Sequence, residues 1–447
     1  MRRSLLARLA LAAGLAAAFL AGVASHHVAW AARRNQAQPY RALDVFSDVL
    51  AHVENSYVEP VDERELVYGA IDGMMSRLDP HSMFMRPEMY RQMRDDTSGE
   101  FDGLGLELTV QDGELTVISP LSESPGERAG IRPGDRVLSI DGAPTKEMTL
   151  AEAIRRMKGV AGTKVVLEIM REGFTLPQKL ALVRDRVRTL SVDLKVLDAA
   201  RHYAYVRVRT FQERTDKNLQ KALEDARAQM GGTIRGLVLD LRNNPGGLLD
   251  QAVRVSDVFL TSGVIVTTAG RGRKNVEVER AHEKDTEPAY PLIVLVNKGT
   301  ASASEIVAGA LQDQGRAVIM GTQTFGKGSV QTIIELEDGS GLKLTVARYY
   351  TPKNRSIQER GITPDVVVAE AAPPRAEESQ LTERDLKRHL KNDGPGAAQA
   401  APVTASQASP PGKPGEDFQL RTAVDYLKAV DIFKASLETP RDVAKKQ

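Results

Sequence analysis

The sequence predicts a multidomain α/β protein: a helical N-terminal segment, a β-rich domain inserted before a larger α/β core, and a helical C-terminal tail. Length is the first reason, because 447 residues exceed what one hydrophobic core organises; chains beyond roughly 250–300 residues split into domains. The second is a change of period, from helical spacing near both ends to short apolar runs bounded by Gly and Pro between 97 and 183. The third is the alternation of strand-like and helix-like stretches from 184 to 370, the pattern of a βα sheet. Hydrophobic residues at 42% and charged residues at 27% suffice for sizeable cores. Lys plus Arg is 60 against 59 for Asp plus Glu, so no large field gathers nucleic acid or an anionic membrane. Zero Cys excludes disulfides, thiolate nucleophiles and Cys-type zinc sites.

Residues 1–31 read as an export signal or an N-terminal anchor. Arg2, Arg3 and Arg8 precede an uncharged Ala/Leu-rich run from Leu9 to Ala24, and Ala29 and Ala31 offer small residues for cleavage. The run is also nearly long enough to span a bilayer, for which about 20 residues are needed. A helical segment follows over 40–96, with Leu43, Phe46, Val49, Leu50 and Val53 on one helix and Leu66, Ala70, Ile71 and Met74 on a second. Such helices dock on the core or on a second copy of the chain.

Residues 97–183 form the β-rich domain, with strands expected at Leu115 to Ile118, Val137 to Ile140 and Val165 to Met170, and one helix from Thr149 to Lys158. Its Gly103-Leu104-Gly105-Leu106 turn, the Ser124-Pro125-Gly126-Glu127-Arg128-Ala129-Gly130-Ile131 segment and Arg132-Pro133-Gly134-Asp135 resemble a PDZ domain of bacterial proteases. A turn of this kind leaves N–H groups beside apolar side chains, which suits a peptide carboxylate while the peptide adds as a strand to the sheet edge. Gly103, Leu104, Gly105 and Leu106 are therefore the candidate substrate-binding residues.

The core spans 184–370, with strands at Tyr203 to Val208, Leu237 to Leu241 and Leu292 to Val296 alternating with helices at Thr215 to Met230 and Leu248 to Leu260. Pro373-Pro374 and Pro410-Pro411 mark 371–417 as a Pro/Ala-rich flexible linker. A final helix in 418–447 carries Leu420, Val424, Leu427 and Val430, and docks on the core or on a partner.

The chemistry concentrates in three core segments. Asn297-Lys298-Gly299-Thr300-Ala301-Ser302-Ala303-Ser304-Glu305 joins a strand to a helix, so Ser302 sits at a helix start and the Ala303 amide points where an oxyanion would form. Ser304 is a natural cap for that helix, which leaves Ser302 spare. A serine needs a base. None of His26, His27, His52, His81, His202, His282 and His389 lies in a triad context, though a base distant in sequence keeps a Ser-His hydrolase open. Lys327, in Thr324-Phe325-Gly326-Lys327-Gly328-Ser329-Val330-Gln331, serves if burial lowers its pKa, and Gln331 can accept from its amine without adding charge. Gly321-x-x-x-x-Gly326-Lys327 has the spacing of a phosphate loop, but Gly328 stands where Ser or Thr is needed and a strand follows where a helix should. In Asp240-Leu241-Arg242-Asn243-Asn244-Pro245-Gly246-Gly247, adjacent glycines expose amides for a second oxyanion donor.

Together, and in this order, these segments resemble the C-terminal processing protease family, PDZ-bearing serine peptidases with a Ser-Lys dyad, over about residues 40 to 370. The resemblance implies an endopeptidase that takes apolar protein C-termini through its PDZ domain and cuts near that end. Ser302 would be the nucleophile, Lys327 the base, Gln331 its orienting group, and Ala303 with Gly246 the oxyanion donors; no metal or organic cofactor is implied. It further implies envelope substrates, including peptidoglycan hydrolases, self-association through terminal helices, an activating adaptor, and a periplasmic or cell-envelope location, with membrane association only if the N-terminal segment stays uncleaved. A PDZ scaffold that binds C-termini without cleavage is the alternative.

Overall fold

The computed structural model describes residues 41–370, 381–393, 403–404 and 417–438. The export or anchor segment, residues 1–31, lies outside them. Among the described residues no helix is long and apolar enough to cross a membrane. The chain divides into two compact units, Met1–Met74 and Met75–Gln447. In the first, α1 (Arg41–Ser56) and α2 (Glu63–Met75, ending one residue past the boundary) occupy the expected helical stretch. Leu43, Phe46 and Val49 of α1 are exposed.

The second unit opens with a strand the helical reading did not foresee, β1 (Met83–Met85), before α3 (Pro87–Ser98). The β-rich domain follows: β2 (Glu100–Gly103), β3 (Leu106–Gln111), β4 (Glu114–Pro120), a single turn α4 (Pro125–Arg128), β5 (Arg136–Ile140), α5 (Leu150–Met157), β6 (Lys164–Met170), β7 (Gln178–Val183) and β8 (Asp185–Arg188). Its main path runs β3-β4-β5-β6-β7, which leaves β3 at the edge. The alternating burial of Val165, Leu167 and Ile169 packs β6 on Leu104, Val117, Ile140 and Met157. Thr149 caps α5 by accepting the Glu152 N–H, 3.2 Å. Gly105 needs its glycine: φ is +67°, and a Cβ there would meet Ser124 at 2.3 Å. β2 pairs antiparallel with β8 and closes the domain at its neck.

The core is built on β9 (Val192–Asp198), β10 (Tyr203–Val208), α6 (Thr215–Gln229), β11 (Gly236–Asp240), α7 (Leu249–Asp257), β12 (Val264–Gly270), β13 (Glu277–Arg280), β14 (Leu292–Val296), α8 (Ala303–Asp313), β15 (Val318–Gly321), β16 (Ser329–Glu335), β17 (Gly341–Tyr350), β18 (Val366–Val367), β19 (Val403–Thr404) and α9 (Phe418–Glu438). A seven-stranded sheet runs β9-β10-β11-β14-β15-β18-β19, parallel from β10 onward. Every residue of β11 and β14 is buried, as expected where both faces of a parallel sheet are covered. On one face Leu239 and Val294 meet Leu223 of α6, Val255 of α7 and Val307 of α8. On the other, Val238, Ile293 and Leu295 meet Ala423 and Leu427 of α9. Of the two destinations open to the final helix, it takes the core, and the Tyr203 hydroxyl bonds Asp431.

A second sheet, β1-β17-β12-β13 with β16 on β17, was not legible as a unit in the sequence. The stretch expected as a flexible linker, 371–417, also differs. Its residues 381–393 are packed on the core: Glu383 is fully buried, pairs with His81 at 2.7 Å and accepts from Gln358 Nε2 at 2.8 Å. The Glu383 N–H reaches the Phe325 carbonyl, 3.2 Å. These anchors are polar and far apart in sequence, so composition could not reveal them.

Candidate active site

The turn from β14 to α8 is set by polar bonds rather than by glycine. Thr300 donates to the Leu241 carbonyl and accepts the Asn297 N–H, and the Ala301 N–H reaches the Asn244 carbonyl, 3.0 Å. Ser302 emerges with φ +56° and ψ −116°, a conformation that costs a non-glycine residue on the order of 1–3 kcal/mol and persists only where the surroundings impose it. It is a strained strand-to-helix turn of the kind that can expose a nucleophile, reached here without a Gly-x-Ser-x-Gly sequence. The expected capping is exchanged: Ser302 holds the cap position, while the Ser304 hydroxyl donates to the Asn244 carbonyl, 3.0 Å.

What imposes the strain is Glu305. Its carboxylate is wholly buried. One oxygen accepts from Thr324 Oγ1 (2.6 Å) and the Gly326 N–H (2.8 Å); the other accepts the N–H groups of Ser302 (2.8 Å) and Lys327 (2.9 Å). One side chain thus clamps the nucleophile turn to the loop that carries the lysine. Burial pushes Glu305 up to about 7 against the four donors, which favour its charged form. Sequence reasoning misses Glu305, for which the spacing Ser302-x-x-Glu305 of a capping box is the available signal.

Ser302, Ala303, Lys327 and Gln331 line one cavity of about 320 Å³, with Phe211, Leu248, Ile306, Val330, Ile333, Lys343 and Tyr349 among its walls. Burial, then the neighbouring Lys343, lowers Lys327 to about 8, against Glu383, Glu305 and Asp79, which pull it upward. With that value roughly a tenth of the side chain is neutral at pH 7, against under a thousandth for an ordinary lysine. The Tyr349 hydroxyl bonds the Lys327 carbonyl. Burial holds that phenol well above its ordinary value, against a smaller opposing effect of Ser302 beside it.

Gln331 Nε2 donates to Ser329 Oγ at 2.9 Å and to Thr345 Oγ1 at 3.3 Å. Among the described residues no hydrogen bond joins Lys327 Nζ to Ser302 or to Gln331. Gly246 lies against the nucleophile turn, since a Cβ on it would meet Ala303 N at 2.9 Å, but its own N–H goes to Asn244 Oδ1, 2.9 Å. Gly247, its neighbour, lines the cavity. The loop that follows β11 is further tied down by Arg242, which holds Asp240 and grips Asp417 at the start of α9. The histidine alternative finds no support: none of the described histidines lines the cavity. His81 is paired to Glu383, His282 to Asp257 and His389 to Glu359. The phosphate-loop alternative fails as well, because β16, a strand, follows Lys327.

In the β-rich domain, Leu104 is buried and its carbonyl accepts the Gly126 N–H, 2.9 Å, while the Gly105 carbonyl accepts from Leu121, 2.8 Å. The turn thereby feeds into the edge strand β3, where Leu106 and Leu108 are partly buried against the domain core.

Comparison with known proteins places these observations. Residues 202–368 match Peptidase family S41, residues 116–171 a PDZ domain, and residues 17–89 the activating protease CtpB N-terminal domain. A carboxy-terminal-processing protease of Bartonella bacilliformis is 43% identical over 399 residues, covering 88% of this chain and 90% of its own. A carboxyl-terminal-processing protease of a Synechocystis species is 40% identical, with coverages of 71% and 74%. The carboxy-terminal processing protease CtpA of Bacillus subtilis is 37% identical, with 72% and 68%. Among solved structures, a photosystem II D1 C-terminal processing protease aligns at 35% identity and a TM-score of 0.43, covering 72% of this chain and 86% of its own.

Proposed function

The chain belongs to the carboxy-terminal processing proteases, serine endopeptidases that act near the C-termini of their substrates, and from that premise we propose that Ser302 and Lys327 carry out the cleavage. The observation that supports this assignment most directly is the strained, Glu305-clamped Ser302 sharing a cavity with a lysine whose pKa is depressed by burial. Neutral Lys327 takes the Ser302 proton as Oγ attacks the scissile carbonyl carbon. The oxyanion is received by the Ala303 amide and by the Gly246-Gly247 pair, where Gly246 must first release Asn244 or Gly247 take its place. As the tetrahedral intermediate collapses, lysinium protonates the departing amine and leaves an acyl group on Ser302. A water gives a proton to Lys327 as it attacks the ester, and on collapse the lysinium returns that proton to the departing Ser302 Oγ, which frees the shortened chain and restores both groups.

The PDZ domain serves recognition of protein C-termini. We assign the docking to Gly103, Leu104, Gly105 and Leu106, with the tail adding to the free edge of β3. Gln331 is assigned to orient Lys327 once substrate closes the site; catalytic hydrogen bonds often tighten only in the complex. Self-association through the terminal helices, an activating adaptor, envelope substrates such as peptidoglycan hydrolases, and export through residues 1–31 complete the reading. The exposed apolar side chains of α1 support the first. Incubation of the full chain with a protein bearing an apolar free tail, with and without envelope extract to supply an adaptor, tests the assignment. Shortening by the wild type and none by Ser302→Ala or Lys327→Ala is the expected result; equal shortening by all three removes it.

A further inference from the structure

The catalytic cavity holds a second lysine that the mechanism above does not use. Lys343 lies on β17, in register with Ile333 of β16 and Met83 of β1, and lines the same cavity as Ser302 and Lys327. It is half-buried, yet among the described residues it makes no ion pair. Partly buried charges are normally matched, and three carboxylates act on Lys327, the other lysine of the cavity. Each of these is already engaged. Glu383 holds His81 and Gln358, and Asp79 takes the His81 N–H and the Ser82 and Thr345 hydroxyls. Glu305 is filled by its four donors. Asp96, the carboxylate that lines the cavity, makes no ion pair with Lys343 either.

The charged groups that act on Lys327 fall into two opposing sets. Glu305 on α8, Glu383 on the 381–393 segment and Asp79 ahead of β1 favour the lysinium; Lys343 on β17 disfavours it. Tyr349, also on β17, stays neutral because burial raises it. Burial is the larger influence that opposes the three acids, and the Lys343 charge adds to it, although burial lowers Lys343 as well. A neighbouring cation is a recognised way to keep a nucleophilic or basic lysine deprotonated.

We propose that Lys343 acts through Lys327: as a cation kept without a counter-ion in the cleavage cavity, it holds the base in its neutral, proton-accepting form. The inference rests on the Ser-Lys reading, and its test separates the two. The full chain, with its lysines carbon-13 labelled at Cε, is titrated by NMR, the Lys327 signal being identified by its loss in Lys327→Ala; pH profiles of kcat/KM on a peptide with an apolar free C-terminus accompany it. In Lys343→Met the Lys327 titration and the acid limb of the profile move to higher pH, so that kcat/KM falls severalfold near neutrality and recovers in alkali. Lys343→Arg, which keeps the charge, restores the wild-type midpoint. A Lys343→Met variant of unchanged melting temperature whose Lys327 midpoint stays put overturns the proposal, as does one that raises KM at every pH without moving the limb. Activity retained by Lys327→Ala would instead overturn the Ser-Lys reading, leaving the titration result to stand by itself.

Discussion

The two halves of the cavity that Ser302 and Lys327 share are built in opposite ways. On the Ser302 side the turn is fastened at several points: Thr300, Ala301, Ser304 and the Ser302 N–H all have partners, and Glu305 closes the set. On the base side the main chain is pinned through the Lys327 N–H and carbonyl, while its amine, the Lys343 amine and the Gln331 carbonyl oxygen carry no hydrogen bond among the described residues. The difference divides the labour. Strain at Ser302 requires an over-determined frame, since the backbone would otherwise relax. A base that must gain and lose a proton in each turnover is better left free of a fixed acceptor, which would hold it charged.

The contrast is broken most severely at the nucleophile. Ser302→Ala lowers kcat by at least about ten-thousand-fold, measured as acyl transfer from a tailed peptide, while the affinity of that peptide for the PDZ domain stays at the wild-type value. Next is Glu305→Gln, which sets an amide NH2 against main-chain donors. It costs about 2 kcal/mol of stability in denaturant melts and on the order of a hundredfold in kcat, as loss of one positioned donor does. A variant as stable as the wild type would show that the clamp is not what holds the turn.

The base side responds to pH. Lys327 must be neutral, so kcat/KM climbs with pH to an inflection near 8, by about tenfold per unit below it; a flat profile from pH 6 to 9 removes the lysine base. Glu305 gives the opposite sign in stability. Its pKa is higher folded than unfolded, so it contributes below its ordinary value and that contribution is lost as pH rises toward about 7. Wild-type melts should therefore show a downward slope that Glu305→Gln lacks. The smallest effect is that of Gln331→Ala: kcat falls by about tenfold through misplacement of the base, with melting unchanged because its partners Ser329 and Thr345 remain.

Much of this was legible beforehand. The buried strands Tyr203–Val208 and Leu292–Val296 and the helix over 215–229 declare themselves by period, and Gly105 by the conformation only glycine accepts at low cost. Ser302 stands out at a helix start that Ser304 could cap, Lys327 in a glycine-flanked turn beside Phe325 and Val330, and both through the family resemblance of their segments. What was hidden has a common cause. Glu305, Glu383 and Arg242 act across 19 to 302 residues of sequence, and a charge that bonds at such range looks, in the sequence, like any other surface charge. The strand β1 was hidden for a related reason, since three residues between helices have no period and exist as a strand only by pairing with Leu342 and its neighbours.

The last helix gives the sheet a chronology. Tyr203, in the first parallel strand of the core, finds its hydroxyl partner Asp431 only 228 residues later, and Val238 and Ile293 likewise wait for Leu427, far along the chain. Until α9 docks, one face of the central sheet is uncovered and Arg242 lacks Asp417, half of its grip. The parallel sheet is therefore completed by an element that follows every strand it covers.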